Sequence, residues 1–126
     1  MGCQRSREVI KPIETMKRQE LLEAIEKEFG AGCAAICKER ARQKEVKGYD
    51  VERDLEIYYD NEQLAAASAS YALEPDRYER DLAWPWDITM FNSTPDNRQR
   101  EFEKSGALMA AQLDVTIAKN KNDGAD

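Results

Sequence analysis

Apolar residues recur at steps of three and four along much of the chain, and this spacing predicts amphipathic α-helices. The first such run ends before Gly30 and consists of Ile13, Met16, Leu21, Leu22, Ile25 and Phe29. A second helix is predicted over residues 31–47, ending at Gly48, with a buried stripe of Cys33, Ile36, Cys37 and Ala41. Strand-type alternation of apolar and polar residues is almost absent, so the pattern predicts an all-α fold.

Two further helices are predicted in the second half of the chain. One covers the alanine-rich residues 64–72. The other opens at Asp96 and carries, at a helical period, Phe102, Gly106, Met109, Leu113 and Ile117. Residues 51–61 lack firm periodicity and are predicted to form an irregular or short helical connection. The sequence therefore predicts a small bundle of about four helices, with a long aromatic loop between the last two.

The length of 126 residues suits one domain. We expect residues 1–11 to be a flexible lead-in, residues 12–119 a single helical domain, and residues 120–126 a disordered tail. No run approaches the roughly 20 apolar residues that cross a bilayer, and no secretory signal is visible, so no membrane association is expected. The odd number of cysteines suits a reducing compartment, and we expect a cytoplasmic protein.

Charge and composition narrow the classes of function. The formal net charge is −6 with both signs interleaved, so direct binding to nucleic acid is not expected. The chain has no histidine, which removes the commonest general base, Ser-His-Asp and Cys-His arrangements, and mixed Cys/His zinc sites. We therefore expect no cofactor and a protein that binds rather than catalyses.

The sharpest local feature is the sequence Trp84-Pro85-Trp86-Asp87. Two indoles on either side of a rigid proline present flat surfaces that suit the stacking of a nucleobase or contact with a partner's side chain, and Phe91 lies in the same loop. The other interpretation is that both rings roof the helical core.

Arginines are the second set of candidates. One interpretation is that Arg42 with Arg98 or Arg100 forms an anion pocket beside the tryptophans. The alternative is that they pair with helical carboxylates on a solvated face. The candidate binding residues are therefore Trp84, Trp86, Asp87, Phe91, Arg42, Arg98 and Arg100. No residue is assigned as catalytic or as a metal ligand.

Three weaker motifs remain. Glu20, Glu23 and Glu26 recur every three residues, as in helical magnesium-dependent nucleotide pyrophosphatases, but a second helix of inward carboxylates is missing. Cys33 and Cys37 are spaced to share a helix face, which suits either a thiophilic metal or simple burial. The start MGCQRS fits a myristoylation pattern, which coincidence also explains because the modification needs a eukaryotic enzyme.

Four segments carry a resemblance when they are taken in order: KERARQKEVKGYD (38–50), EQLAAASASYAL (62–73), WPWD (84–87) and EKSGALMAAQLD (103–114). They resemble a group of small bacteriophage and prophage proteins with the order ERxRQ, G-aromatic, LAxAAxxYA, WPW and a KAGAL-type helix. The resemblance covers most of residues 35–114. This sequence departs from the group at Arg53, Asp54 and Leu55, where histidines and paired aspartates often stand, and at Ser105, where the group has alanine.

The resemblance implies a phage or prophage accessory protein inside a bacterial cell, without implying an activity. Our first hypothesis is a non-enzymatic protein that binds a host or phage macromolecule through residues 84–91 and nearby arginines, possible effects including the blunting of host defence. The second is a binder or sponge for a nucleotide-type small molecule at the same residues. The third is a magnesium-dependent nucleotide hydrolase. A homo-oligomer also fits, because a small helical domain readily buries an exposed apolar stripe in a dimer.

Overall fold

The computed structural model of the protein describes residues 17–124. The predicted lead-in and the MGCQRS pattern lie outside the described residues. The helices are α1 (Arg18–Phe29), α2 (Ala31–Lys47), α3 (Val51–Tyr58), α4 (Gln63–Ala72), α5 (Glu79–Ala83) and α6 (Arg98–Asn122), with a 3₁₀ helix at Ile88–Met90 before α6. The all-α prediction is confirmed. Residues 17–124 contain six α-helices where about four were expected.

The chain divides into two compact units, of which the first ends at Ala34 and the second begins at Ala35. In the first unit, α1 ends at Gly30, whose φ of 101° is a conformation that side-chain-bearing residues rarely adopt. None of the residues of α1 is fully buried, and Phe29 at its end is 71% exposed. Among the described residues, no helix has the length and apolar character needed to span a bilayer.

Within the second unit, α3 lies in residues 51–61, where an irregular or short helical connection was expected, and the short helical alternative is the one observed. Gly48, with φ of 73°, allows the chain to turn after α2. Asp50 then caps α3, because its side chain accepts a hydrogen bond from the backbone N–H of Arg53 at 2.9 Å. An eight-residue helix has too few turns for its hydrophobic period to be recognised in the sequence, so the capping residue Asp50 is the clearer indication of this helix.

Small side chains bring α4 and α6 together. Ala67 and Ala107 are completely buried. The Ser68 hydroxyl donates to the carbonyl of Ser105, and the Ser105 hydroxyl donates to the carbonyl of Ser68, each at 2.8 Å. The core lies beside this close helix contact. Its buried members are Tyr58, Leu64, Ala111 and Val115, and Leu55, Trp86 and Leu108 pack against them.

A buried carboxylate anchors the segment between α4 and α6. Glu101 is completely buried and accepts hydrogen bonds from the guanidinium groups of Arg80 and Arg98 and from the backbone N–H of Thr94. Burial raises the pKa of Glu101, but the hydrogen bonds from Arg80, Thr94 and Arg98 outweigh it, so the pKa lies below its ordinary value. The long loop expected here is therefore partly helical and tied to α6.

The last helix ends further along the chain than expected. The tail was predicted to begin at residue 120, whereas α6 continues to Asn122 and the N–H of Asp123 still donates to the carbonyl of Lys119 at 2.9 Å. The N-cap of α6 is Asn97, whose side chain accepts from the N–H of Arg100 at 3.1 Å. It follows the expected opening residue, Asp96, by one position.

Candidate functional site

The second unit contains a cavity of about 760 Å³ between α2, α3, α4, α6 and the segment that precedes α6. Its wall is unusually rich in aromatic and charged side chains. The aromatic ones are Tyr49, Tyr58, Tyr71, Trp84 and Trp86. The charged ones are the cations Arg40, Arg42, Lys47, Arg53, Arg100 and Lys104 and the carboxylates Glu39 and Asp54. The cavity wall thus carries an excess of positive charge in a chain whose net charge is −6.

The two indoles form part of an interlocked aromatic cluster. The rings of Trp84 and Trp86 meet edge to face, with 5.1 Å between their centroids and 88° between their planes. Trp84 stacks on Phe91 at 4.7 Å, and Trp86 lies 5.9 Å from Tyr58. Tyr71 meets both Trp84 and Phe91 edge-on. The two tryptophans therefore roof part of the core and also line the cavity, so the two interpretations of the motif are compatible.

Hydrogen bonds fix the orientation of both indoles. The Nε1–H of Trp84 donates to the carbonyl of Asp87 at 2.9 Å, and the Nε1–H of Trp86 donates to Oε1 of Gln63 at 3.3 Å. Because each polar edge has a partner, both rings are held in one orientation before any ligand binds. Both side chains are half-buried, which leaves part of their surface open.

Glu39 organises two of the arginines at the cavity. Arg42 donates to both of its carboxylate oxygens at 2.9 Å, and Arg100 donates from Nη1 at 2.7 Å. Burial of Glu39 raises its pKa, but the hydrogen bonds and charges of Arg42 and Arg100 prevail and lower it to about 2. The carboxylate therefore stays ionised and holds two guanidinium groups beside each other.

Lys104 adds a cation from α6. Its Nζ donates to the carbonyl of Asn92 at 3.0 Å and lies 5.3 Å from the centroid of the Tyr71 ring. Burial and the nearby charge of Arg100 lower the pKa of this amine. Lys104 thus joins the cationic side of the cavity to its aromatic side.

A second carboxylate at the cavity, Asp54, lies on α3, and only 1% of its side chain is accessible. Its Oδ1 accepts from Nη1 of Arg53 at 3.0 Å, and Arg53 in turn lies over the Tyr49 ring at 4.4 Å. Burial raises the pKa of Asp54 despite the opposing charges of Arg53 and Arg40. Its Oδ2 has no hydrogen-bond partner within residues 17–124.

Four of the seven predicted binding residues meet at this cavity: Trp84, Trp86, Arg42 and Arg100. The other three have structural roles around it. Asp87 caps the 3₁₀ helix by accepting from the N–H of Thr89 at 2.9 Å, and Phe91 stands behind Trp84. Arg98 donates to Glu101 and to the carbonyls of Tyr71 and Ala72 at the end of α4.

The sequence reasoning missed other residues of the cavity wall, notably Arg40, Tyr49, Arg53, Asp54 and Lys104. Arg40 was visible only as part of a charged helix, and such runs were expected to be solvated. In fact Glu39 and Arg40 are both buried. The sequence over positions 40–58 mixes basic and acidic residues in equal number, so it carried no local signal that this side of the cavity would be cationic.

Residues 17–124 contain no group of three or more histidine, cysteine or acidic side chains placed to share a metal ion. Glu20, Glu23 and Glu26 are among the residues covered by that statement. Comparison with known proteins gave no family model, no curated relative and no solved structure that matches this chain.

Proposed function

We propose that this protein binds, without transforming it, a small anionic ligand that carries a planar ring, of the nucleotide class. The observation that carries the proposal is the composition of the cavity wall, in which six cationic side chains face two carboxylates beside five aromatic rings. Phosphate groups are recognised by guanidinium and ammonium groups, and nucleobases by aromatic faces. One cavity offers both.

The geometry of the arginines supports this assignment. Glu39 already occupies one edge of the Arg42 guanidinium and one nitrogen of Arg100, so both groups are held in place while their other N–H donors remain for an anion. The side chains of the two arginines already lose conformational entropy when the protein folds. Ligand binding therefore does not have to order them, which favours a higher affinity. A volume of about 760 Å³ lies within the usual range for small-molecule sites.

A polymeric nucleic acid fits less well than a free nucleotide. The excess of cations over carboxylates at the cavity lies in a concave site on a chain with net charge −6, whereas nucleic-acid binding usually relies on an extended basic surface that releases counterions. We therefore place the ligand among small molecules. Such a protein would act as a sponge, lowering the free concentration of its ligand in proportion to its own abundance.

The test is a thermal-shift and calorimetric panel of ribonucleoside and deoxyribonucleoside phosphates and cyclic nucleotides. A ligand that binds only the folded state raises the melting temperature, by an amount that grows with its concentration. Arg100→Gln should abolish or strongly reduce the shift. The matched control is Arg77→Gln, because Arg77 is half-exposed and pairs with Glu79 outside the cavity. A flat response across the panel would refute the proposal.

A second candidate function rests on a different observation. Ile88 and Met90, in the 3₁₀ helix next to the tryptophans, are 53% and 60% exposed. Exposed apolar side chains beside a fixed aromatic cluster suit a protein partner, which supports a phage accessory protein that binds a host or phage macromolecule. Capture from infected cells should recover the same partner with wild type and Arg100→Gln but lose it with Ile88→Asp. Equal recovery with Ile88→Asp would remove this candidate.

A further inference from the structure

Two buried polar atoms beside the cavity have no hydrogen-bond partner in the described part of the chain. They are Oδ2 of Asp54, a hydrogen-bond acceptor, and Nε of Arg40, a donor. Both residues line the cavity. A buried polar atom without a partner destabilises the folded state, so most such atoms in folded proteins are satisfied by protein, water or ligand.

The two side chains face each other across a short gap. Nη2 of Arg40 lies 3.9 Å from Oδ2 of Asp54, which is too long for a hydrogen bond. Nε and Nη2 lie on the same edge of the guanidinium, so the orphan donor Nε is next to the nitrogen that faces the orphan acceptor Oδ2. A single oxygen atom about 2.8 Å from each side spans a gap of this width.

The other atoms of the two residues are already engaged, which fixes the gap. Arg40 donates from Nη1 to the carbonyl of Tyr49 at 2.8 Å and from Nη2 to Asp114 at 3.2 Å. Asp54 accepts from Arg53 through its other oxygen at 3.0 Å. Neither side chain can rotate to close the gap without breaking these bonds.

We infer that the ligand carries a hydroxyl group that enters this gap, donating its hydrogen to Oδ2 of Asp54 and accepting from Nε of Arg40. A hydroxyl is the ligand group that offers both functions on one atom, whereas the edge of a nucleobase spreads donor and acceptor over two. On the proposed nucleotide site, on which this inference rests, the hydroxyl belongs to the sugar. The protein therefore selects ribonucleotides over the deoxyribonucleotides that lack the hydroxyl concerned.

The experiment compares nucleoside 5′-diphosphates of the four common bases, each as the ribo, 2′-deoxy and 3′-deoxy form, by isothermal titration calorimetry with the full chain. Loss of a hydroxyl that bonds to a charged pair should weaken binding on the order of 10- to 100-fold for one of the two deoxy forms. Equal affinities for all three forms would overturn the inference, since the gap would then hold only an ordered water. Binding of none of them would overturn the inference, and a flat response across the wider thermal-shift panel as well would overturn the proposed function.

Two variants test whether Asp54 and Arg40 are the source of the selectivity. Asp54→Asn keeps the shape and should reduce the preference for the ribo form towards one. Arg40→Lys keeps the charge but removes Nε–H, and should have the same effect if Asp54→Asn fails to fold. The matched control is Glu52→Gln, because Glu52 lies on the same helix as Asp54 but is exposed and outside the cavity wall. A preference for the ribo form that persists in both Asp54→Asn and Arg40→Lys would show that other residues cause it and would contradict the inference.

Discussion

Arg100 of α6 donates a hydrogen bond to Glu39 of α2 across 2.7 Å, joining two helices whose residues are 61 positions apart in the sequence. Arg42, one helical turn after Glu39, binds the same carboxylate with two further hydrogen bonds. One buried acid therefore connects α2 to α6 and sets the spacing of two guanidinium groups at the cavity.

The first prediction concerns Glu39 and pH. The folded protein holds the Glu39 pKa at about 2, below its ordinary value of 4.5, so the ionised carboxylate stabilises the fold above pH 4.5 and this contribution is lost as the pH falls towards 2. Glu39→Gln should lower the free energy of unfolding by about 3 kcal/mol at pH 7. Urea denaturation at pH 7, 4.5 and 3 should show the difference shrinking at the acid end. A difference that stays constant over this range would contradict the role of the charge.

The second prediction concerns Glu101. Glu101→Gln leaves Arg80, itself buried, without its charged partner, and should cost about 3–5 kcal/mol in the free energy of unfolding. Glu103→Gln is the control on the same helix, because the Arg100–Glu103 pair is more accessible and should contribute less than about 1 kcal/mol. Denaturation by urea measures both. Similar losses of unfolding free energy for the two variants would show that burial does not make the Arg80–Glu101 pair more stabilising than the accessible Arg100–Glu103 pair.

A third prediction concerns Gly106 on α6. A Cβ at this position would lie 2.6 Å from Cγ1 of Ile36 on α2, closer than real side chains approach. Gly106→Ala gains up to about 1 kcal/mol in helix propensity, but the clash should outweigh it and leave a net loss of about 1–2 kcal/mol. Combining it with Ile36→Ala, which makes room, should remove the clash. The coupling is measured by a double-mutant cycle, and additive effects would disprove the contact.

A fourth prediction concerns the tryptophan cluster. Trp84→Ala removes a ring that stacks on Phe91 and meets Trp86 and Tyr71 edge-on, and should lower the free energy of unfolding by about 2 kcal/mol, since the ring is only half-buried. Leu82→Ala, at a side chain that is 74% exposed, should change it by less than about 0.5 kcal/mol. Thermal denaturation followed by circular dichroism distinguishes them. Unchanged stability of Trp84→Ala would contradict a role of this ring in stabilising the fold.

Ligand binding should also be visible in the emission of the same rings. Because Trp84 and Trp86 both line the cavity, a stacked base should quench their fluorescence. Trp86→Phe keeps an aromatic face against Tyr58 and should reduce the signal change while preserving the fold. A nucleotide that raises the melting temperature without altering the emission of the wild type would place its ring away from these indoles.

The helices that could be predicted from sequence are those with both a clear period and a marked end. α1 and α2 end at Gly30 and Gly48 as expected, because each glycine adopts a positive φ. α5 was missed because it has only five residues. The contact between Arg80 and Glu101 ties it in place over a separation of 21 positions, and no local pattern records such a contact.

The site was predictable only in part for a related reason. The WPW motif and the arginines can be recognised as candidates from residue type alone, and four of those residues lie at the cavity. Asp54 and Glu39 could not be recognised because charged residues on helices are usually solvated, whereas here both are buried. Glu39 is paired with Arg100 of another helix, and Asp54 with Arg53 of its own helix. The expected pairing of helical arginines with carboxylates is present, but on a protected surface.

The reciprocal hydrogen bonds between Ser68 and Ser105 fix how α4 lies along α6. Sliding α4 along α6 by even one turn would strand two hydroxyls inside a protein interior, so this pair of helices has a single register. The walls that these helices contribute therefore keep their spacing whether the cavity is filled or empty. On the proposed function, the ligand would therefore enter a preformed cavity rather than one that closes around it.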